Sequence, residues 1–166
     1  MQKILVSACL LGEKVRYDGG DSAAHGVLDI WEKQGRIISL CPEMAGGLCV
    51  PRDPAEINEG DAVAVLRGMG RVQKQNGEDV TDAFMDGAER ALAKCWEHNI
   101  KVAILKEGSP SCGSKQVNDG KFSGNKINAQ GVTTALLTGH GISVFNEDQL
   151  SEASRRLAEL ESKHGK

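Results

Sequence analysis

The chain has 166 residues, a formal net charge of −3, few aromatic side chains and five cysteines. That length predicts a single domain over 1–166, able to bury a core of Ile, Leu, Val and Ala without disulfide or zinc staples. The mild charge argues against a protein held on nucleic acid by bulk electrostatics, so no stable nucleic-acid partner is expected. Met1-Gln2-Lys3 runs straight into the short apolar stretch Ile4-Leu5-Val6, and no stretch approaches the ~18 apolar residues of a membrane span, so a soluble cytoplasmic protein is expected.

In chain order, four short, branched, continuous apolar runs read as strands buried on both faces of a parallel sheet: Lys3 to Ser7, Arg36 to Leu40, Val102 to Lys106 and Ile142 to Phe145. Helical patterns separate them. Ala23 to Gln34 is one. Asp79 to Glu97 is a stronger one, with Thr81 or Asp82 as its cap and Phe84, Ala88, Ala91, Leu92 and Cys95 on one face. Val132 to Thr138 is short, and Asp148 to Lys163 closes the chain. The alternation predicts an α/β fold with a mainly parallel sheet and crossover helices. Ala62 to Arg67 and Arg71 to Gln75 flank Gly68-Met69-Gly70 and read as a β-hairpin insertion.

The cysteines fall where such a sheet would use them. Cys9 lies just past the first strand, Cys41 ends the second, and Cys112 sits in the loop after Val102 to Lys106. Ligands of open parallel sheets bind outside the carboxyl ends of the strands. Three converging thiols suit a soft metal centre: zinc, copper(I) or an iron–sulfur cluster. Three protein ligands leave a fourth position open, which is the mark of a catalytic metal site. Without a CxxC spacing, unmetallated thiols at strand ends are an equal reading at this level. Cys95, on the apolar side of a helix, reads as a structural thiol. Cys49, in a Gly-rich loop, reads as a bystander ahead of a fourth ligand.

A series of short motifs is more specific. It runs Ser7-Ala8-Cys9-Leu10-Leu11-Gly12, Val15-Arg16-Tyr17-Asp18-Gly19, Cys41-Pro42-Glu43 with Gly46-Gly47-Leu48 and Pro51-Arg52. It continues through Leu105-Lys106-Glu107-Gly108-Ser109-Pro110-Ser111-Cys112-Gly113, Gly120-Lys121-Phe122-Ser123-Gly124 and Gly131-Val132-Thr133. In this order the series resembles the thiouracil desulfurase family, formerly known only as a domain of unknown function. The resemblance extends from the first strand to about Glu147. It implies a three-layer Rossmann-like fold carrying a [4Fe–4S] cluster on Cys9, Cys41 and Cys112. It further implies that the iron not held by the protein takes the sulfur of a thiolated pyrimidine, such as 2-thiouracil or a 4-thiouracil derivative. The base then leaves with oxygen in place of sulfur, a net hydrolysis without electron transfer. Glu43 would be the acid/base, and Ser109 would line the pocket as a helper. The sequence departs from the family pattern at Cys49, where a proline is expected; a thiol reaching the open iron would block it.

The chemistry is coherent with these residue types. A soft Lewis acid accepts sulfur, and a carboxylate beside it can take the proton of an attacking water. Glu43 stands two residues from Cys41; its bland alternative is a loop carboxylate pairing with Arg52 or capping a helix. Ser109, before Pro110, is equally a turn opener. Lys106 and Glu107 read either as substrate ligands or as a charged pair. Lys115, Lys121 and Lys126 read as solvated loop lysines ahead of phosphate ligands. The Gly-rich stretches Asp18-Gly19-Gly20 and Gly113 to Gly131 lack nucleotide-loop spacing and would let backbone approach cluster or substrate. His25, His98, His140 and His164 share no ligand spacing. Two other functions compete: a non-catalytic iron–sulfur sensor or sulfur carrier, and a zinc-binding regulatory module.

Overall fold

A computed structural model describes residues 2–12, 26–48, 53–58 and 61–164. Its elements in chain order are β1 (Ile4–Ser7), a 3-10 turn (Ala8–Leu11), α1 (Val27–Lys33), β2 (Ile37–Leu40), α2 (Pro42–Ala45), β3 (Ala55–Ile57), α3 (Ala62–Leu66) and β4 (Val72–Lys74). They continue with α4 (Thr81–Glu97), β5 (Val102–Ile104), β6 (Gln116–Asn118), β7 (Lys126–Asn128), α5 (Val132–Gly139), β8 (Ser143–Phe145) and α6 (Leu150–His164).

All four expected sheet strands form, and they pair in parallel in the order β2-β1-β5-β8. Ile4 stands opposite Ile37 on one side and Val102 on the other. The pleat sends alternate side chains to opposite faces. Ile4, Val6, Val102 and Ile104 meet Leu28 and Trp31 of α1 and Ala153, Leu157 and Leu160 of α6. Leu5 and Ala103 point the other way, onto Ala91, Leu92 and Cys95 of α4 and Leu137 of α5. Helices therefore cover both faces of the sheet, giving the three-layer α/β architecture expected from the sequence. The five residues expected on the inner face of α4 are all buried. Among the described residues no helix is long and apolar enough to cross a membrane.

Two local readings need correction. The antiparallel insertion exists, but its first arm is not Ala62 to Arg67. Val72–Lys74 pairs with Ala55–Ile57, Ala55 opposite Lys74, and the segment after β3 is helix α3. The run Ala62-Val63-Ala64-Val65 alternates like a strand, yet Asp61 caps it by accepting the Ala64 N–H at 3.0 Å. Burial of Ala62 and Val65 then follows the i, i+3 spacing of a helix. The second correction concerns the cap of α4. Neither Thr81 nor Asp82 provides it. Asp79 accepts the Thr81 N–H at 2.8 Å, and hydrogen bonding from the Thr81 side chain, then from its N–H, holds the Asp79 carboxyl below the usual range. Buried Thr81 instead accepts the Val72 N–H at 2.9 Å and fastens β4 to the helix.

Glycine sets one contact that matters for the site. A Cβ on Gly87 of α4 would lie 2.0 Å from the Pro42 carbonyl oxygen, and one on Gly46 would lie 1.9 Å from the Ala83 oxygen. The backbones of α2 and α4 thus touch with no side chain between them, which fixes the position of Cys41 to Ala45. Gly87→Ala should therefore destabilise the protein by roughly 1–3 kcal/mol through overpacking against backbone. Gly139→Ala, whose Cβ meets nothing within 4 Å, should leave stability unchanged or slightly raised. Chemical denaturation midpoints of the two variants test this, and equal midpoints would contradict it.

Candidate active site

The chain runs from β1 to β2 on one side, then returns to place β5 on the other side of β1. Strand order reverses at β1, and the crevice of an open α/β sheet lies there, beyond the carboxyl ends of the strands. Cys9 follows β1, Cys41 follows β2 and Cys112 lies in the loop after β5. All three line one cavity of about 310 Å³, together with Glu43 and Ser109. The five leading candidates, Cys9, Cys41, Cys112, Glu43 and Ser109, are all brought to this cavity. Cys95 is not: it is fully buried under the sheet, and burial pushes its thiol up to about 12 against a smaller opposing pull from Lys101. Cys49, Arg52, His25 and Asp18-Gly19-Gly20 lie outside the described residues. None of the four described cysteines forms a disulfide.

Each thiol is held by its own local device. Cys9 sits in the 3-10 turn, which ends at Gly12 in the left-handed region, φ 91°. Only glycine takes that conformation without strain, so the chain turns away immediately after the cysteine. Cys41 is the N-cap of α2, with Pro42 at the first helical position where its missing N–H is not needed. Its carbonyl accepts the Ala45 N–H at 2.9 Å. Cys112 lies in a turn organised by Ser109, whose Oγ accepts the N–H groups of Ser111 at 3.0 Å and Cys112 at 3.2 Å. The same turn closes the start of α5. The carbonyls of Pro110 and Ser111 accept the Val132 and Thr133 N–H groups at 2.8 and 2.9 Å, and Thr134 Oγ1 donates to the Cys112 carbonyl at 2.9 Å. A Cβ on Gly131 would lie 2.5 Å from the Ser111 carbonyl oxygen, so only glycine permits this docking. The third thiol loop is thereby bonded to the otherwise orphan N–H groups of α5.

Glu107 lines the same cavity and braces the loop beside it. Its Oε1 accepts N–H groups from Gly108, Ser114, Lys115 and Gln116 at 3.0–3.1 Å, and Asn146 Nδ2 donates to Oε2 at 2.7 Å. Burial alone would raise its carboxyl, but these bonds outweigh burial and hold it at about 2. The carboxylate gathers the loop that carries Ser109 and Cys112. Lys106 pairs with Glu147 at 2.8 Å while still lining the cavity. Lys126 also lines the cavity; Lys115 and Lys121 are not among its lining residues. Several lining residues were not legible in the sequence. Lys74 and Asn118 arrive on the antiparallel arms β4 and β6, and Phe84 contributes both to the core and to the cavity wall. No spacing in the chain announces them, because their placement depends on long-range pairing.

The electrostatics of the trio suit a cationic centre. Burial, then the neighbouring Glu43, Cys41 and Cys9, push the Cys112 thiol well above its usual range, with the Ser7 hydroxyl opposing them. Groups that resist ionising beside one another ionise readily around a metal charge. Among the described residues, no group of three or more His, Cys, Asp or Glu is arranged to hold a single metal ion. Thiolates that bind one ion close on it at about 2.3 Å. A cluster is reached by each thiolate at a different iron and asks for wider spacing. An all-cysteine donor set lining one cavity fits an iron–sulfur cluster.

A family model for 2-thiouracil desulfurases matches residues 4–149. The chain belongs to the 2-thiouracil desulfurase family. This bears out the reading as an enzyme of that family. The chain is 43% identical over 149 residues to the uncharacterized protein YbbK of Bacillus subtilis (strain 168), covering 90% of this chain and 98% of YbbK. It is also similar to a solved structure described as a [4Fe–4S]-dependent thiouracil desulfidase, TudS. There the TM-score is 0.87 at 47% identity, covering 95% of this chain and 99% of that one. The three-layer fold is thus that of a solved desulfidase.

Because the Glu107 carboxyl is depressed, it favours folding fully above its ordinary value of 4.5, and that contribution is lost as pH falls toward about 2. Glu107→Gln should destabilise the protein by roughly 2 kcal/mol at neutral pH. The gap between variant and wild type should narrow as the pH drops through that window. Denaturation midpoints measured across the acid range test this, and a gap independent of pH would contradict it.

Proposed function

We propose that the protein removes sulfur from a thiolated pyrimidine, 2-thiouracil or a 4-thiouracil derivative, by a non-redox hydrolysis at a [4Fe–4S] cluster held by Cys9, Cys41 and Cys112. The observation that carries this reading is the meeting of these three thiols with Glu43 and Ser109 on one cavity at the sheet's switch point. Similarity to a [4Fe–4S]-dependent desulfidase supports it. When bound, the cluster would supply a soft Lewis acid for the substrate sulfur at an iron the protein leaves uncoordinated. We place the reaction in the cytoplasm, a reducing compartment that keeps such thiols available, and in a single domain spanning the chain.

The chain's own residues carry the rest. Leu48, Val80 and Phe84 give the cavity an apolar wall suited to a flat, neutral ring. Glu43, fixed by α2 next to Cys41, takes a proton from the water that attacks the thiocarbonyl carbon. Ser109 Oγ already accepts two backbone N–H groups, which leaves its own proton to donate toward the ring. The bonds balance: water adds oxygen to carbon, the carbon–sulfur bond breaks, and sulfur leaves as sulfide with the protons of that water.

Sulfide release from 2-thiouracil and a 4-thiouracil compound, measured anaerobically on the reconstituted protein, tests the proposal. Glu43→Ala should lower turnover on the order of 10²–10⁴-fold with iron content unchanged. A sensor or sulfur carrier would be indifferent to this change. Absence of sulfide release by the iron-loaded wild type would sink the activity.

A further inference from the structure

One buried hydroxyl beside the trio is absent from the mechanism above. Ser7 ends β1 and is 2% exposed. Its Oγ donates to Cys112 Sγ at 3.7 Å and accepts the Lys106 N–H at 3.1 Å. The two bonds are coupled. With the oxygen taken by the backbone N–H that follows β5, the hydroxyl proton has Cys112 Sγ as its acceptor among the described residues. Parallel pairing of β1 with β5 ends at Val6 opposite Ile104, and the bond from Lys106 extends this contact one step further. Ser7 is thus set in place by the sheet itself rather than by a loop. Cys112 is 6% exposed, so little water is available to replace the bond.

We infer that Ser7 is a positioning residue for the cluster: its hydroxyl orients the Cys112 sulfur and withdraws electron density from it. This rests on the proposed cluster ligation. Hydrogen bonds to ligand sulfurs stabilise negative charge there and are among the levers that set cluster potentials. A thiolate that donates less to its iron leaves the cluster a stronger acceptor for a further sulfur. Ser7, which also lines the cavity, therefore tunes the site through the Cys112 sulfur.

The test compares anaerobically reconstituted wild type, Ser7→Ala and Ser7→Thr. Three readouts apply: iron and sulfide content, the cluster's midpoint potential, and the solvent-isotope shift of its Fe–S stretching bands. Ser7→Ala should carry a full cluster with a more negative midpoint and a smaller isotope shift. Ser7→Thr, which keeps the hydroxyl, should return both toward wild type. If Ser7→Ala loses iron while Ser7→Thr retains it, the hydroxyl requirement stands. A loaded Ser7→Ala with wild-type midpoint and isotope shift overturns the inference alone, as does loss of iron in both variants. A wild type that takes up no cluster overturns the ligation on which the inference rests.

Discussion

The site depends on one pairing, the parallel register of β1 between β2 and β5. Ile4 opposite both Ile37 and Val102 brings three strand ends to a common edge, and with them the loops bearing Cys9, Cys41 and Cys112. Parallel strands cannot be joined by tight hairpins, so each return needs a crossover. Those crossovers deliver the helices that bury both faces of the sheet. A slip of one residue in β1 would exchange Ile4 and Val6 with Leu5 between the two cores. The hydrophobic pattern that stabilises the fold therefore also fixes the mutual position of the thiols.

Beyond the strands, positioning relies on backbone contact. Cys41 is fixed because α2 lies against α4 at Gly46 and Gly87. Cys112 is fixed because its turn lies against α5 at Gly131. Such contacts leave little room for the local rearrangement that a longer side chain would permit. Carboxylates serve the same end: Glu107 gathers the loop after β5, and buried Glu56 accepts the Gly120 N–H at 2.9 Å, tying the next loop to β3. Glu107 and Glu56 thus brace the loops around the cavity, while Glu43, which lines it, is the proposed acid/base.

Much of this was legible in the sequence because it is local or periodic. The four sheet strands are continuous branched runs, and α4 has a one-sided apolar face, so their identity follows from pattern alone. The cysteines follow from strand ends, and the order of motifs pointed to the family. What was not legible depends on partners far along the chain. Ala62 to Leu66 alternates like a strand, and only the Asp61 cap and the packing of Val65 make it a helix. Glu107 read equally as a substrate ligand or half of a charged pair, because most of its partners are backbone N–H groups, which no side-chain pattern records. Ser7 opens the first motif at a strand end, but its bonds to Cys112 and Lys106 follow only once β5 lies beside β1.

The central claim is that three strand-end thiols, and not the remaining described one, hold the cluster. Iron content after anaerobic reconstitution tests this directly in Cys9→Ser, Cys41→Ser, Cys112→Ser and Cys95→Ala. The first three should each lose most of their iron, while Cys95→Ala, which removes a core thiol, should keep the wild-type amount. Retention of full iron by any of the three, or loss of iron in Cys95→Ala with the fold intact, would contradict the account.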